Sequence, residues 1–184
     1  MRLLKFAILG LINRKPITGY DIAKEFDRGL VNFWYATHSQ IYPELRRLTE
    51  EGLVTFEIDT RGDRQEKKRY LITEKGKREL RKWFSEFDEL ESTPKDVFRL
   101  KLYFLNETDK DTVFAHFRDQ LQKRSRKLKK LEQGLKEKQQ ASKTYGKTYN
   151  REIGDYLVVY GAIAREKGYI DWINYCIDYL NGIK

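Results

Sequence analysis

Tyr42 and Arg46 sit four residues apart in the stretch 37–54, with His38, Ser39 and Gln40 just before them. Residues of these types can hydrogen-bond to base edges and neutralise phosphates. Spacing alone puts Ile41, Leu45 and Leu48 at i, i+4 and i+7, on one apolar helical edge. Tyr42 and Arg46 fall on the other side. A helix with one buried edge and one basic, aromatic edge can enter a DNA major groove. An ordinary amphipathic helix with solvated arginines would show the same pattern. The elements around it therefore decide.

Thr37 with Gln40 predicts a capping box. Pro43 is tolerated only in a first turn, so the regular helix is expected from about Ser39, with 37–40 as a tight turn. Gly52 stands where a left-handed C-terminal cap is expected. Upstream, residues 2–13 are apolar on most sides, which predicts a helix buried by several neighbours. Thr18 and Asp21 give a second capping box, opening a helix to about Arg28. A connector with Phe33, Trp34 and Tyr35 follows. Downstream, Val54, Phe56 and Ile58 alternate with polar residues as in a half-buried strand. Residues 60–66 read as a polar turn, and residues 67–72 as the return strand. Thr73 opens a helix expected to reach Leu90, with Leu80, Trp83, Phe84 and Phe87 on one side.

Three helices followed by a basic hairpin is the order of a winged helix-turn-helix. The third helix would read the groove. The two-stranded wing would bring Arg61, Arg64, Lys67 and Lys68 near phosphates, adding affinity and salt dependence but little sequence information. The net charge of +9 suits an anionic partner. No apolar run has the length of a membrane span, the N-terminus lacks a signal peptide's cleavage region, and the expected location is the cytoplasm. Cys176 is alone, so no disulfide framework or multi-cysteine zinc site is expected. No phosphate loop, nucleophile elbow or metal-ligand pair occurs, so neither catalysis nor a cofactor is expected.

Several of these pieces, taken together, resemble the PadR family of bacterial transcriptional regulators. Residues 7–12 with Pro16, then Gly19 to Ile22, resemble the family's opening. Residues 39–48 and 51–54 resemble its recognition helix and first wing strand. Residues 68–76, with Leu80 and Trp83, resemble the second wing strand and exit helix. Thr49 departs from the glutamate common there. The resemblance implies a homodimeric regulator, read here as a repressor on an inverted-repeat operator. It also implies DNA contact by Tyr20, Tyr42 and Tyr70, although each ring could instead pack against the first helix or the wing.

A mainly α protein is expected, with a DNA-binding domain over 1–90 and a helical dimerisation domain over 91–184. Residues 92–96 mark the junction, with Thr93 as cap and Pro94 in the first turn. Residues 97–105 read as a short buried helix. From 111 to 142 the residues Phe114, Phe117, Leu121, Leu128, Leu131 and Leu135 keep a three-four spacing, interrupted only by Arg124 and Lys138. That spacing predicts a long helix packed along a partner helix. Its basic flank, residues 123–130, reads as a solvated coiled-coil flank in preference to a second DNA contact. Residues 151–181 are apolar on nearly all sides, which burial between subunits would explain. The expected dimer interface comprises Phe114, Phe117, Leu121, Leu128, Leu131, Tyr160, Trp172, Ile173 and Ile177. The layout resembles the larger PadR subgroup, whose C-terminal domain resembles that of a virulence-gene activator.

Two further readings remain open on the sequence. Trp34 and the C-terminal Trp and Tyr residues could border a pocket for a small aromatic effector, since the family includes members that answer to phenolic acids or drugs. A winged fold could also serve only as a protein-binding adaptor, which steep salt-dependent DNA binding would exclude.

Overall fold

The computed structural model describes residues 2–30, 34, 36–59, 67–90 and 95–183. Backbone contacts divide the chain into two units, Met1–Glu91 and Ser92–Lys184.

The first unit is built on α1 (Leu3–Arg14). Phe6, Ile8, Leu9, Leu11 and Ile12 are buried, so the helix is covered on several sides, as its all-round apolarity requires. α3 (His38–Glu50) contributes Ile41, Leu45 and Leu48 to the same core. α4 (Glu74–Ser85) closes it with Leu80 and with Trp83, which stacks on Phe6 at 4.8 Å. α2 (Gly19–Glu25) begins as expected: the Thr18 hydroxyl accepts the Asp21 amide at 3.1 Å and donates to the Asp21 carboxylate at 2.7 Å. A π-helical turn, Phe26–Leu30, then replaces the helical continuation to Arg28.

Three further features differ from the sequence expectation. β2 (Val54–Asp59) and β3 (Lys67–Ile72) form the wing, but β1 (Ile17–Thr18) joins β3 to make a three-stranded antiparallel sheet, order β1-β3-β2. Two residues carry too little pattern to be read as a strand. α4 stops at Ser85, where Glu86 turns extended, so Phe87 and Leu90 stand exposed beyond it, and Phe84 within it is exposed too instead of lying on its inner side. α3 begins at His38, one residue earlier than Pro43 suggested. The ring only deprives the exposed Ser39 carbonyl of its i+4 amide, which water can replace. Gly52 takes the expected left-handed conformation at φ 66°.

The second unit is an antiparallel helical hairpin with a small helix on it. α6 (Lys110–Ala141) and α7 (Arg151–Asn181) are joined through residues 142–150. Two apolar clusters line the seam. One contains Phe98, Val113, Phe117 and Ile173; the other contains Leu131, Val159, Ala162 and Ile163. Between them lies Glu166, 1% exposed. Its carboxylate accepts Arg124 Nη1 at 3.0 Å and faces Lys127 Nζ at 2.8 Å. Arg124 also lies over the Tyr169 ring, 3.2 Å from its centroid. The second interruption of the apolar spacing is likewise paired: Lys138 Nζ meets Asp155 at 2.6 Å, and the buried Tyr145 hydroxyl donates to the same carboxylate. The basic flank is thus only partly solvated.

α5 (Val97–Tyr103) is capped by Asp96, whose carboxylate accepts the Arg99 amide at 3.1 Å and the Tyr169 hydroxyl at 2.6 Å. The expected caps at 93 and 94 lie outside the described residues. Only Phe98 of this helix is buried; Val97, Leu100, Tyr103 and Phe104 are exposed, so it is not the buried helix expected. No helix among the described residues is long and apolar enough to cross a membrane.

Candidate nucleic-acid interface

α3 owes its orientation to its apolar edge. With Ile41, Leu45 and Leu48 turned inward, the 3.6-residue period turns Ser39, Tyr42 and Arg46 outward. Among the described residues Arg46 has no ion-pair partner, and its guanidinium stays available to an anion or a base edge. Arg47 points back towards Glu44, 3.8 Å away.

The N-terminal turn is built from the side chains expected to read DNA. Gln40 Oε1 accepts the Thr37 amide at 3.0 Å, and the Ser39 and Thr37 hydroxyls share a hydrogen bond of 2.8 Å. Gln40 is therefore occupied as a cap, as its third position in the helix favours. His38 is exposed, with its ring 6.3 Å from that of Tyr42.

The three tyrosines separate. Tyr20 is exposed, and Tyr42 is half-exposed, its ring lying against Gly19. A Cβ at Gly19 would come within 2.8 Å of the Tyr42 ring, so the glycine lets the aromatic side chain cross the start of α2. Sequence spacing held no sign of that contact. Tyr70 differs. Facing Ile17 and Phe56 across the sheet, with its ring 6.0 Å from Phe56, it is 8% exposed and belongs to the core. Burial, with Tyr42 nearby, pushes its hydroxyl pKa up. Its expected role in DNA contact is corrected to packing, because the pleat of β3 turns this position inward.

Lys67 and Lys68 are exposed on the same strand, with Lys68 Nζ 4.1 Å above the Phe56 ring. Arg61 and Arg64 lie outside the described residues. Lys67 and Lys68 thus share this unit with the outward face of α3, and no cluster of metal-ligating residues occurs among the described residues.

In the second unit the expected dimer residues also separate. Phe117, Leu131 and Ile173 are buried inside the α6–α7 seam of a single chain, which corrects their assignment to an intersubunit surface. Phe114, Leu121, Leu128, Trp172 and Ile177 are partly buried. Apart from Phe114, they pack on the same clusters. The helix predicted to lie along α6 is α7 of the same chain, because a short connector makes that pairing a local closure. Tyr160 remains on the outside, along with Leu157, Tyr175 and Tyr179. A hollow of about 340 Å³ lies between α5 and α6, lined by Leu100, Leu102, Phe104, Thr112, Val113 and His116. No Trp or Tyr lines it. Trp172 instead fills the seam, edge-on to Phe98 at 6.0 Å and Tyr169 at 5.0 Å, and Trp34 packs on the core of the first unit.

Residues 8–82 match the transcriptional regulator PadR-like family, and residues 94–181 match the virulence activator alpha C-terminal family. Over 173 residues, 94% of each chain, the sequence is 44% identical to the negative transcriptional regulator PadR of Bacillus subtilis. The crystal structure of Bacillus subtilis PadR with operator DNA superposes with a TM-score of 0.91 at 41% identity, over 97% of this chain and 98% of that one. Its structure with p-coumaric acid superposes with a TM-score of 0.86 at 40% identity, over 99% and 97%.

Proposed function

Because this chain belongs to the PadR-like family of transcriptional regulators, we propose that it is a sequence-specific repressor that binds an inverted-repeat operator as a homodimer. The observation that carries this reading is the outward face of α3, where Ser39, Tyr42 and Arg46 project opposite a fully packed apolar edge. Arg46 and Tyr42 contact base edges. Tyr20, His38, Lys67 and Lys68 contact the backbone beside them, which fixes register and makes binding salt-dependent. Two-fold symmetry in the protein requires a two-fold site in the DNA. The partner subunit covers the outer face of α7, where Leu157, Tyr160, Tyr175 and Tyr179 are exposed. The protein acts on chromosomal DNA in the cytoplasm and carries out no chemical reaction.

A duplex selected by the protein from a random library tests this. Its affinity is measured against scrambled duplex over a salt series. Preference for the selected duplex, with a steep salt slope, is expected. Equal affinity for both would refute it. A phenolic acid as effector is favoured by the p-coumaric acid complex of the Bacillus subtilis relative. Added p-coumaric acid should then release the selected duplex; release by an apolar acid without the phenol would count against that effector class.

A further inference from the structure

Glu44 is a carboxylate on the inner face of α3 and is only 5% exposed. A buried charge is costly unless it is paired and hydrogen-bonded. The partner is Arg2, just ahead of α1: Nη2 lies 3.0 Å from Glu44 Oε1, and Nε donates to the same oxygen at 3.1 Å. The same guanidinium reaches a second carboxylate. Its Nη2 donates to Glu51 Oε2 at 3.1 Å, and its Nη1 to Glu51 Oε1. Glu51 is the C-terminal cap residue of α3. One planar cation therefore holds α3 at two points seven residues apart, about two turns along one stripe.

That stripe lies behind the outward face. Tyr42 and Arg46, each two residues from Glu44, are turned about 160° away from it by the helical period. A clamp placed there controls the roll of the helix about its axis. Roll decides where the tips of Tyr42 and Arg46 lie, and recognition tolerates only about 0.5 Å or 10–20° of misplacement. An apolar pair would stabilise this contact at least as well, so the use of a forked ion pair favours a role in orientation. α1 is itself tied to α4, since Lys5 Nζ bonds Glu79 at 2.7 Å.

We propose that Arg2 is a positioning residue for DNA reading, setting the roll of α3 through Glu44 and Glu51 without touching DNA. This rests on the operator-binding function proposed above. Removing it lowers affinity for the selected duplex about tenfold, roughly the value of one aligned base contact. Affinity for scrambled duplex and the salt slope stay unchanged.

The test uses the full chain carrying Arg2→Ala, Arg2→Lys or Glu51→Gln, with circular dichroism confirming the fold. Fluorescence anisotropy reads selected and scrambled duplex over a salt series. The expected result is a reduced ratio of the two affinities in Arg2→Ala. Arg2→Lys, which lacks the fork, should recover only part of it. An undiminished ratio would overturn the proposal. So would an equal loss on both duplexes with the slope lowered by about one, which marks a phosphate contact instead. Should Arg2→Ala not fold, Glu51→Gln decides, because it leaves the buried Arg2–Glu44 pair intact. A wild-type chain that does not discriminate at all would refute the operator reading itself, before any variant is compared.

Discussion

Glu166→Gln is the most direct probe of the second unit. The new side chain is the same size, so packing is preserved and charge alone is removed. Burial by itself would raise the pKa of this carboxyl; Lys127 and Arg124 outweigh it and hold the group below its ordinary range. A hydrogen bond between charged groups contributes about 1.5–3 kcal/mol. The Lys127 contact is discounted to below about 1 kcal/mol, because that lysine side chain is half exposed. The amide oxygen introduced by the substitution can still accept from Arg124, but that guanidinium loses its counter-charge. A net cost of about 2 kcal/mol follows, a shift of about 1 M in the urea midpoint at an ordinary slope. The assay is urea unfolding by circular dichroism at two pH values. With the folded pKa lowered, the stabilisation is complete above the unfolded value near 4.3 and disappears as pH falls through the folded value. The gap between wild type and variant must therefore close in acid. A gap equal at pH 7 and in acid would refute the electrostatic argument and leave packing as the cause.

Replacing both partners, Arg124→Leu with Glu166→Leu, should restore stability to within about 1 kcal/mol of wild type, whereas Arg124→Leu alone should cost more, measured in the same unfolding assay. Gly146→Ala meets two obstacles, φ of 71° and a Tyr156 ring 2.6 Å from the new Cβ, so a loss of about 1–3 kcal/mol is expected. Arg46→Ala should weaken binding of the selected duplex by about 1–3 kcal/mol while sedimentation shows an unchanged oligomer. Leu157→Asp should instead give a monomer by sedimentation with an unaltered helical spectrum.

Much of the first unit was legible because its signals are local. The cap at Thr18, the left-handed Gly52 and the inward edge of α3 each depend on residues within a few positions of one another. What escaped depends on partners far along the chain. Tyr70 looked exposable until pairing of β3 with β1 and β2 fixed the sheet face on which it joins the core. Gln40 looked like a reader as well as a cap, and the structure uses its amide oxygen for the cap. The three-four spacing of α6 was legible, but spacing does not say whose helix fills it; the connector decides that. Arg124 and Lys138 read as gaps in that spacing, although their partners, Glu166 and Asp155, sit opposite them on α7.

Those two polar pairs also decide an alignment problem. An apolar seam that repeats every seven residues can, in principle, slide by one heptad and still match leucine to isoleucine. Here a slide in either direction would set Glu166 opposite Phe117 or Leu131 and strand a carboxylate among side chains that cannot solvate it. The misaligned hairpin would forfeit both ion pairs at once. A chain collapsing with its helices out of step is thus driven back towards unfolding instead of being trapped, and the ordinary apolar contacts need not by themselves distinguish the right alignment from the wrong ones.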